Sequence, residues 1–171
     1  MAAGESSPAT FGLLVLNLAL YSALAIVAGW AINYGVEETA KTAFVIPARL
    51  FPIVYPIGNM ATGFFVIFSL VAGTVGVVTS LAGLHGVSGG GVPRLSAAAA
   101  FALISWSLTL LAAGVACKEI SIGWRAASLR TLETLSIVLS GTQLLCAGAI
   151  HAGLTGAAST QRMSATYGRA F

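Results

Sequence analysis

FGLLVLNLALYSALAIVAGWAINY, residues 11–34, contains no charged side chain. A helix that crosses the hydrocarbon core of a bilayer needs about 20 mostly apolar residues, and this run supplies them. A strand of a membrane barrel would instead alternate over about 10 residues. The same reading extends to 60–84, also uncharged, to 95–116, and to 132–154, where Glu133 stands at the entrance. The pattern predicts an all-α membrane protein: an antiparallel four-helix transmembrane bundle forming one domain over 1–171.

Composition points the same way. Of 171 residues, 57% are hydrophobic and 8% charged, where a soluble domain carries about 25% charged residues. Two lysines, six arginines and five glutamates, with no aspartate, cannot clothe a soluble globule. A disordered chain would need the opposite balance. The net charge of +3 is too small and scattered for a nucleic-acid partner and fits basic residues at membrane interfaces. The partner expected from composition is the lipid bilayer.

The breaks between the runs are marked by charge, glycine and proline. Glu37, Glu38 and Lys41 end the first run. Residues 85–94, HGVSGGGVPR, read as a flexible hairpin linker with Pro93 at a helix start. Lys118, Glu119, Arg125 and Arg130 hold the third loop in water or headgroups, and the Ala/Ser/Thr/Gly-rich tail 155–171 reads as mobile. Residues 44–57 are apolar, but Pro47, Pro52 and Pro56 forbid a regular helix and Arg49 lies in the middle. This proline-rich first loop is expected at the interface, packing on the bundle or covering a cavity. The first run lacks a basic leader and exceeds the 7–15 residues of a signal core, so it reads as a retained anchor. Lys41, Arg49, Lys118, Arg125 and Arg130 fall on one side, and Arg94, Arg162 and Arg169 on the other. The asymmetry leans toward cytoplasmic first and third loops.

Lipid offers no hydrophobic drive between helices, so small residues mark contact faces. Ala72, Gly76 and Ser80 recur every four residues in the second run, with Ser69 and Gly73 beside them. Ala98, Ala102, Ser105, Thr109, Ala112 and Ala116 form one stripe on the third. Both read as helix-packing surfaces. Cys117 and Cys146 would differ in depth by about 21 Å across a hairpin at 1.5 Å per residue, too far for a disulfide.

The fourth run carries Glu133, Ser136, Ser140, Gln143 and His151 within an arc of about 80° at 100° per residue. Such groups must face the bundle or a wet cavity, with Asn17 a partner at related depth. They suit a polar route with Asn17, Gln143 and His151 as substrate-binding groups, and equally a set of interhelical hydrogen bonds. At the third loop, Lys118 or Arg130 could form a structural ion pair with Glu133, bind an anionic ligand, or simply snorkel. There is no nucleophile elbow, phosphate loop or metal-ligand spacing. No enzyme activity, catalytic residue, metal or cofactor is therefore expected.

Several motifs carry a family resemblance. They are Ala116-Cys117-Lys118-Glu119-Ile120, Ile122-Gly123, Leu129-Arg130 and Leu132-Glu133; Gly58-Asn59-x-Ala61-Thr62-x-Phe64-Phe65; Leu16-Asn17-Leu18 with Trp30-Ala31-Ile32-Asn33; and Thr142-Gln143-Leu144-Leu145 with His151-Ala152-Gly153-Leu154. In these the chain resembles the plant AWPM-like family, named for an abscisic-acid-induced wheat plasma-membrane polypeptide. The first loop is longer and more proline-rich than the family pattern. The resemblance implies a multi-pass plasma-membrane protein of plants, tied to abscisic acid, seed maturation, dehydration and cold, and associated with abscisic acid uptake. Two functions follow. One is a facilitator of that uptake, with Asn17, Lys118, Arg130, Gln143 and His151 as substrate contacts; four helices house a solute path narrowly, so it implies a homo-oligomer. The other is a non-transporting protein that stabilises or organises the plasma membrane under water loss.

Overall fold

The computed structural model describes residues 8–43, 60–89, 91–120 and 127–167. They form four helices: α1 Pro8–Ala43, α2 Met60–Gly89, α3 Val92–Ile120 and α4 Ala127–Tyr167. No strand occurs among the described residues. Each helix contains a stretch long and apolar enough to cross a membrane: Pro8–Glu37, Thr62–Gly89, Val92–Lys118 and Ala127–Thr166. The expected interfacial course of 44–57, and Arg125 in the third loop, lie outside the described residues.

The helices outrun the apolar runs that signal them. α2 continues through the glycine-rich stretch to Gly89, so the linker expected over 85–94 contracts to the residues between Gly89 and Val92. Packing holds this end in place. Val87 is buried, and a Cβ on Gly86 would stand 3.3 Å from both the Ala98 methyl and the Arg94 carbonyl. Gly91 has φ of 95°, a left-handed turn that side-chain-bearing residues resist. Its carbonyl accepts from Leu95 N at 3.2 Å and starts α3, with Pro93 in the first turn, where no amide proton is needed. α4 continues past the expected end near Leu154, through the tail expected to be mobile, to Tyr167. Residues 155–167 hold no proline, and the hydroxyls of Ser159, Thr160, Ser164 and Thr166 bond carbonyls of their own helix.

Glycines bring α1 and α2 together. A Cβ on Gly73 would lie 2.8 Å from the Ala25 backbone nitrogen, one on Gly83 would lie 2.7 Å from Leu14 Cδ2, and one on Gly76 would fall on the Tyr21 ring. As these contacts ascend α1 through Leu14, Tyr21 and Ala25, they descend α2 through Gly83, Gly76 and Gly73. Close contacts join α1 to α2, α2 to α3, α3 to α4 and α4 to α1. Among the described residues α1 and α3 make no close backbone approach, so they are the diagonal of the bundle.

The interior has two apolar clusters. Leu24, Ala28, Phe65, Val66, Ala112, Ala116, Leu132 and Leu139 belong to the one on the loop side. Leu14, Val87, Ala98, Ala99, Ala147 and Ile150 belong to the one near the α2–α3 turn. Outside, large apolar side chains remain bare, among them Ile26 at 71%, Val78 at 65% and Leu145 at 63% exposure. Apolar surface on every helix exceeds what water tolerates and suits acyl chains.

Candidate functional site

Polar side chains from α1, α3 and α4 meet in the interior. Asn17 Nδ2 donates to Gln143 Oε1 at 2.9 Å, and Gln143 Nε2 donates to the Ala102 carbonyl at 3.2 Å. One amide on α4 therefore ties α1 to α3 through a small residue whose bare backbone it can reach. Asn17 is wholly buried and Gln143 nearly so, and the buried Cys146 adjoins Asn17. Amide pairing of this kind satisfies groups that lipid would leave dry.

One turn along α1, Tyr21 spans the diagonal. Its hydroxyl lies 2.7 Å from Thr109 Oγ1 and accepts from Ser105 Oγ at 3.2 Å. Thr109 Oγ1 in turn donates to the Ser105 carbonyl at 2.7 Å. The ring passes over Gly76, so a residue without a side chain on α2 opens the space through which α1 reaches α3. Beside this layer, Trp106 Nε1 donates to the Ser140 carbonyl at 3.1 Å and joins α3 to α4. The packing residues named from spacing, Ala72, Gly76, Ser80, Ala98, Ala102, Ser105 and Thr109, are all buried.

The candidate substrate contacts do not gather at one point. Asn17 and Gln143 touch. Arg130 is exposed, about 20 Å from Gln143 along α4 at 1.5 Å per residue, and Lys118 is exposed at the end of α3. His151 is half-buried about 12 Å beyond Gln143 in the other direction, and its Nδ1 lies 2.8 Å from the Ala147 carbonyl of its own helix. Of the expected ion pair, Glu133 is 4% exposed and Lys118 lies at the surface, and each is engaged by a partner. Cys117 and Cys146 are both free thiols, the first exposed and the second buried.

Tyr21 and Trp106 are the members that reading the sequence missed. Tyr21 did carry a signal: it lies four residues after Asn17, on the same face of α1.

The described geometry lies almost wholly within the segment matched by a known family model. The model for the AWPM-19-like family matches residues 15–153. The chain belongs to this family. A rice relative, Membrane protein PM19L of Oryza sativa subsp. japonica, is 42% identical over 143 residues, covering 83% of this chain and 76% of the relative. No solved structure matches the chain. The AWPM-19-like segment contains Asn17, Tyr21, Ser105, Thr109 and Gln143, and it ends two residues after His151.

Proposed function

We propose that this AWPM-19-like protein resides in the plasma membrane as an antiparallel bundle, its first and third loops cytoplasmic, and facilitates uptake of abscisic acid. The family resemblance supplies the substrate. The observation that carries the reading is the amide layer of Asn17 and Gln143 in the interior, where Asn17 Oδ1 is buried and has no partner among the described residues. A weak acid crosses lipid in its neutral form, while its anion faces a large desolvation cost. A facilitator therefore needs cations to gather the anion at the surface and hydrogen-bonding groups to receive the neutral form inside. Exposed Lys118 and Arg130 meet the first need. Asn17 and Gln143 meet the second, and the half-buried His151 imidazole adds a further hydrogen-bonding group on α4. A single bundle of four helices houses such a route narrowly, so the working form is a homo-oligomer. The role is not catalytic and uses no metal or cofactor.

Uptake of labelled abscisic acid by liposomes containing the purified protein tests the reading. Flux above that of empty vesicles is expected. Gln143→Leu and His151→Phe should lower it more than they lower the amount of folded protein. Lys118→Gln and Arg130→Gln should raise the half-saturating concentration. Absence of flux in the wild type overturns the proposal.

One observation favours a second reading. Tyr21, Ser105, Thr109, Gln143 and Ala102 satisfy one another across three helices, as the interior of a purely structural bundle would. A protein that stabilises or organises the plasma membrane during dehydration or cold needs no more than this.

A further inference from the structure

The interior holds more polar groups than it pairs. Asn17 Oδ1, Ser69 Oγ and Ser136 Oγ are buried with no partner among the described residues, and the three residues are 0% exposed. A dry, unpaired polar atom is costly inside a bundle. The two serines had an inexpensive remedy. A hydroxyl on a helix can rotate onto a carbonyl three or four residues back, and Ser22, Thr74, Thr79, Ser107, Thr134 and Ser140 all do so. Ser69 and Ser136 are turned away from that bond.

Their levels form a series. Gly73 meets Ala25, so Ser69, one turn earlier on α2, lies near the level of Ala28. Gln143 meets Asn17, so Ser136, two turns earlier on α4, lies near the level of Leu24. Between Ser136 and Asn17 lies the hydroxyl cluster of Tyr21, Ser105 and Thr109. All four helices thus contribute polar atoms at levels that span about 17 Å, at 1.5 Å per residue of α1, beside the apolar side chains of the loop-side cluster. Beyond Asn17 the series gives way to the apolar cluster of Leu14, Ala98, Ala99 and Ile150. Toward the loops it passes the level of Glu133, itself buried and one turn before Ser136.

We infer that Asn17 Oδ1, Ser69 Oγ and Ser136 Oγ are seats for bound water, and that the bundle carries an internal hydration line closed at the α2–α3 turn. Water fits the donor balance. Asn17 Oδ1 only accepts, whereas each serine hydroxyl both donates and accepts, and a buried water joins about three such partners. The inference stands apart from abscisic acid: hydration can be found without flux, and flux without hydration.

Radiolytic hydroxyl-radical footprinting in oxygen-18 water, on the full chain in lipid nanodiscs, tests it, because radicals form at the bound waters themselves. Tyr21, at 0% exposure, should be oxidised several-fold more than lipid-facing Phe64, at 54%, and Cys146 beside Asn17 should also be modified. Ser69→Ala with Ser136→Ala should lower Tyr21 oxidation at least twofold, and each single variant should lower it in part, which keeps the test available if the double variant folds poorly. Oxidation of Tyr21 no greater than that of Phe64 overturns the inference. Unchanged Tyr21 oxidation in the folded serine variants also overturns it, since the serines would then hold no water.

Discussion

Gly76→Ala adds one methyl group to a site where the structure allows none. The new Cβ would fall on the Tyr21 ring. The ring cannot swing aside cheaply, because Tyr21 is 0% exposed and its hydroxyl is held by Thr109 at 2.7 Å and Ser105 at 3.2 Å. Overpacking a filled interior costs about 1–3 kcal/mol, and each interhelical hydrogen bond lost in a membrane bundle costs roughly 0.6 kcal/mol. The gross penalty is then about 2–4 kcal/mol. Replacing glycine within a helix returns ~0.5–1 kcal/mol of backbone entropy, leaving a net loss of about 1–3 kcal/mol. Gly148→Ala is the matched control: it is exposed on α4 with nothing within 4 Å of its Cβ position, so only the entropic gain applies. Reversible unfolding by steric trapping in bicelles measures both. A double-mutant cycle isolates the cause. Tyr21→Ala is itself destabilising through the cavity it leaves, by about 3–5 kcal/mol if it behaves like other aromatic truncations, but Gly76→Ala in that background should carry no further penalty. Equal stability of the Gly76 and Gly148 variants, or the same Gly76 penalty with and without the Tyr21 ring, would refute the account of how α1 reaches α3.

Two further predictions concern the ends of the bundle and its thiols. A membrane-permeant maleimide should modify exposed Cys117 in the folded protein and reach buried Cys146 only on unfolding; equal labelling rates, read by mass spectrometry, would contradict the packing around α4. Glu133→Gln should be tolerated better than Lys118→Glu or Arg130→Glu, because neutralising one acid leaves cations that water can reach, whereas reversal brings like charges together. Equal melting temperatures in detergent for all three variants would remove the case for charge compensation at the third loop.

Apolar and polar residues were unequally informative here. Runs such as 11–34 announce that a helix crosses the membrane but not which of its faces turns inward, because leucine gains little by leaving acyl chains for a neighbouring helix. Phe64 and Phe65 adjoin in one run, yet the first is 54% exposed and the second 0%, and hydrophobicity does not separate them. The glycines of α2 and the small stripe of α3 were legible as contact faces, since close approach is what small residues allow. The amides were legible too. Lipid leaves Asn17 and Gln143 no other company, so their presence in apolar runs already implied that they meet, and they do at 2.9 Å.

Tyr21 was not legible, and the reason is geometric. Its partners Ser105 and Thr109 lie on a helix that α1 does not approach, so the contact depends on the register of α1 against α2, on the opening at Gly76, and on the register of α3 against both. None of these is a local property of the residues around Tyr21. The end of α2 escaped for a related reason: glycine and serine signal a break only while nothing packs against them, and Gly86 and Val87 pack against α3. In a bundle immersed in lipid, sequence therefore specifies the polar contacts whose alternatives are costly. Contacts set by the relative register of three helices emerge only once the glycines have decided how closely those helices approach.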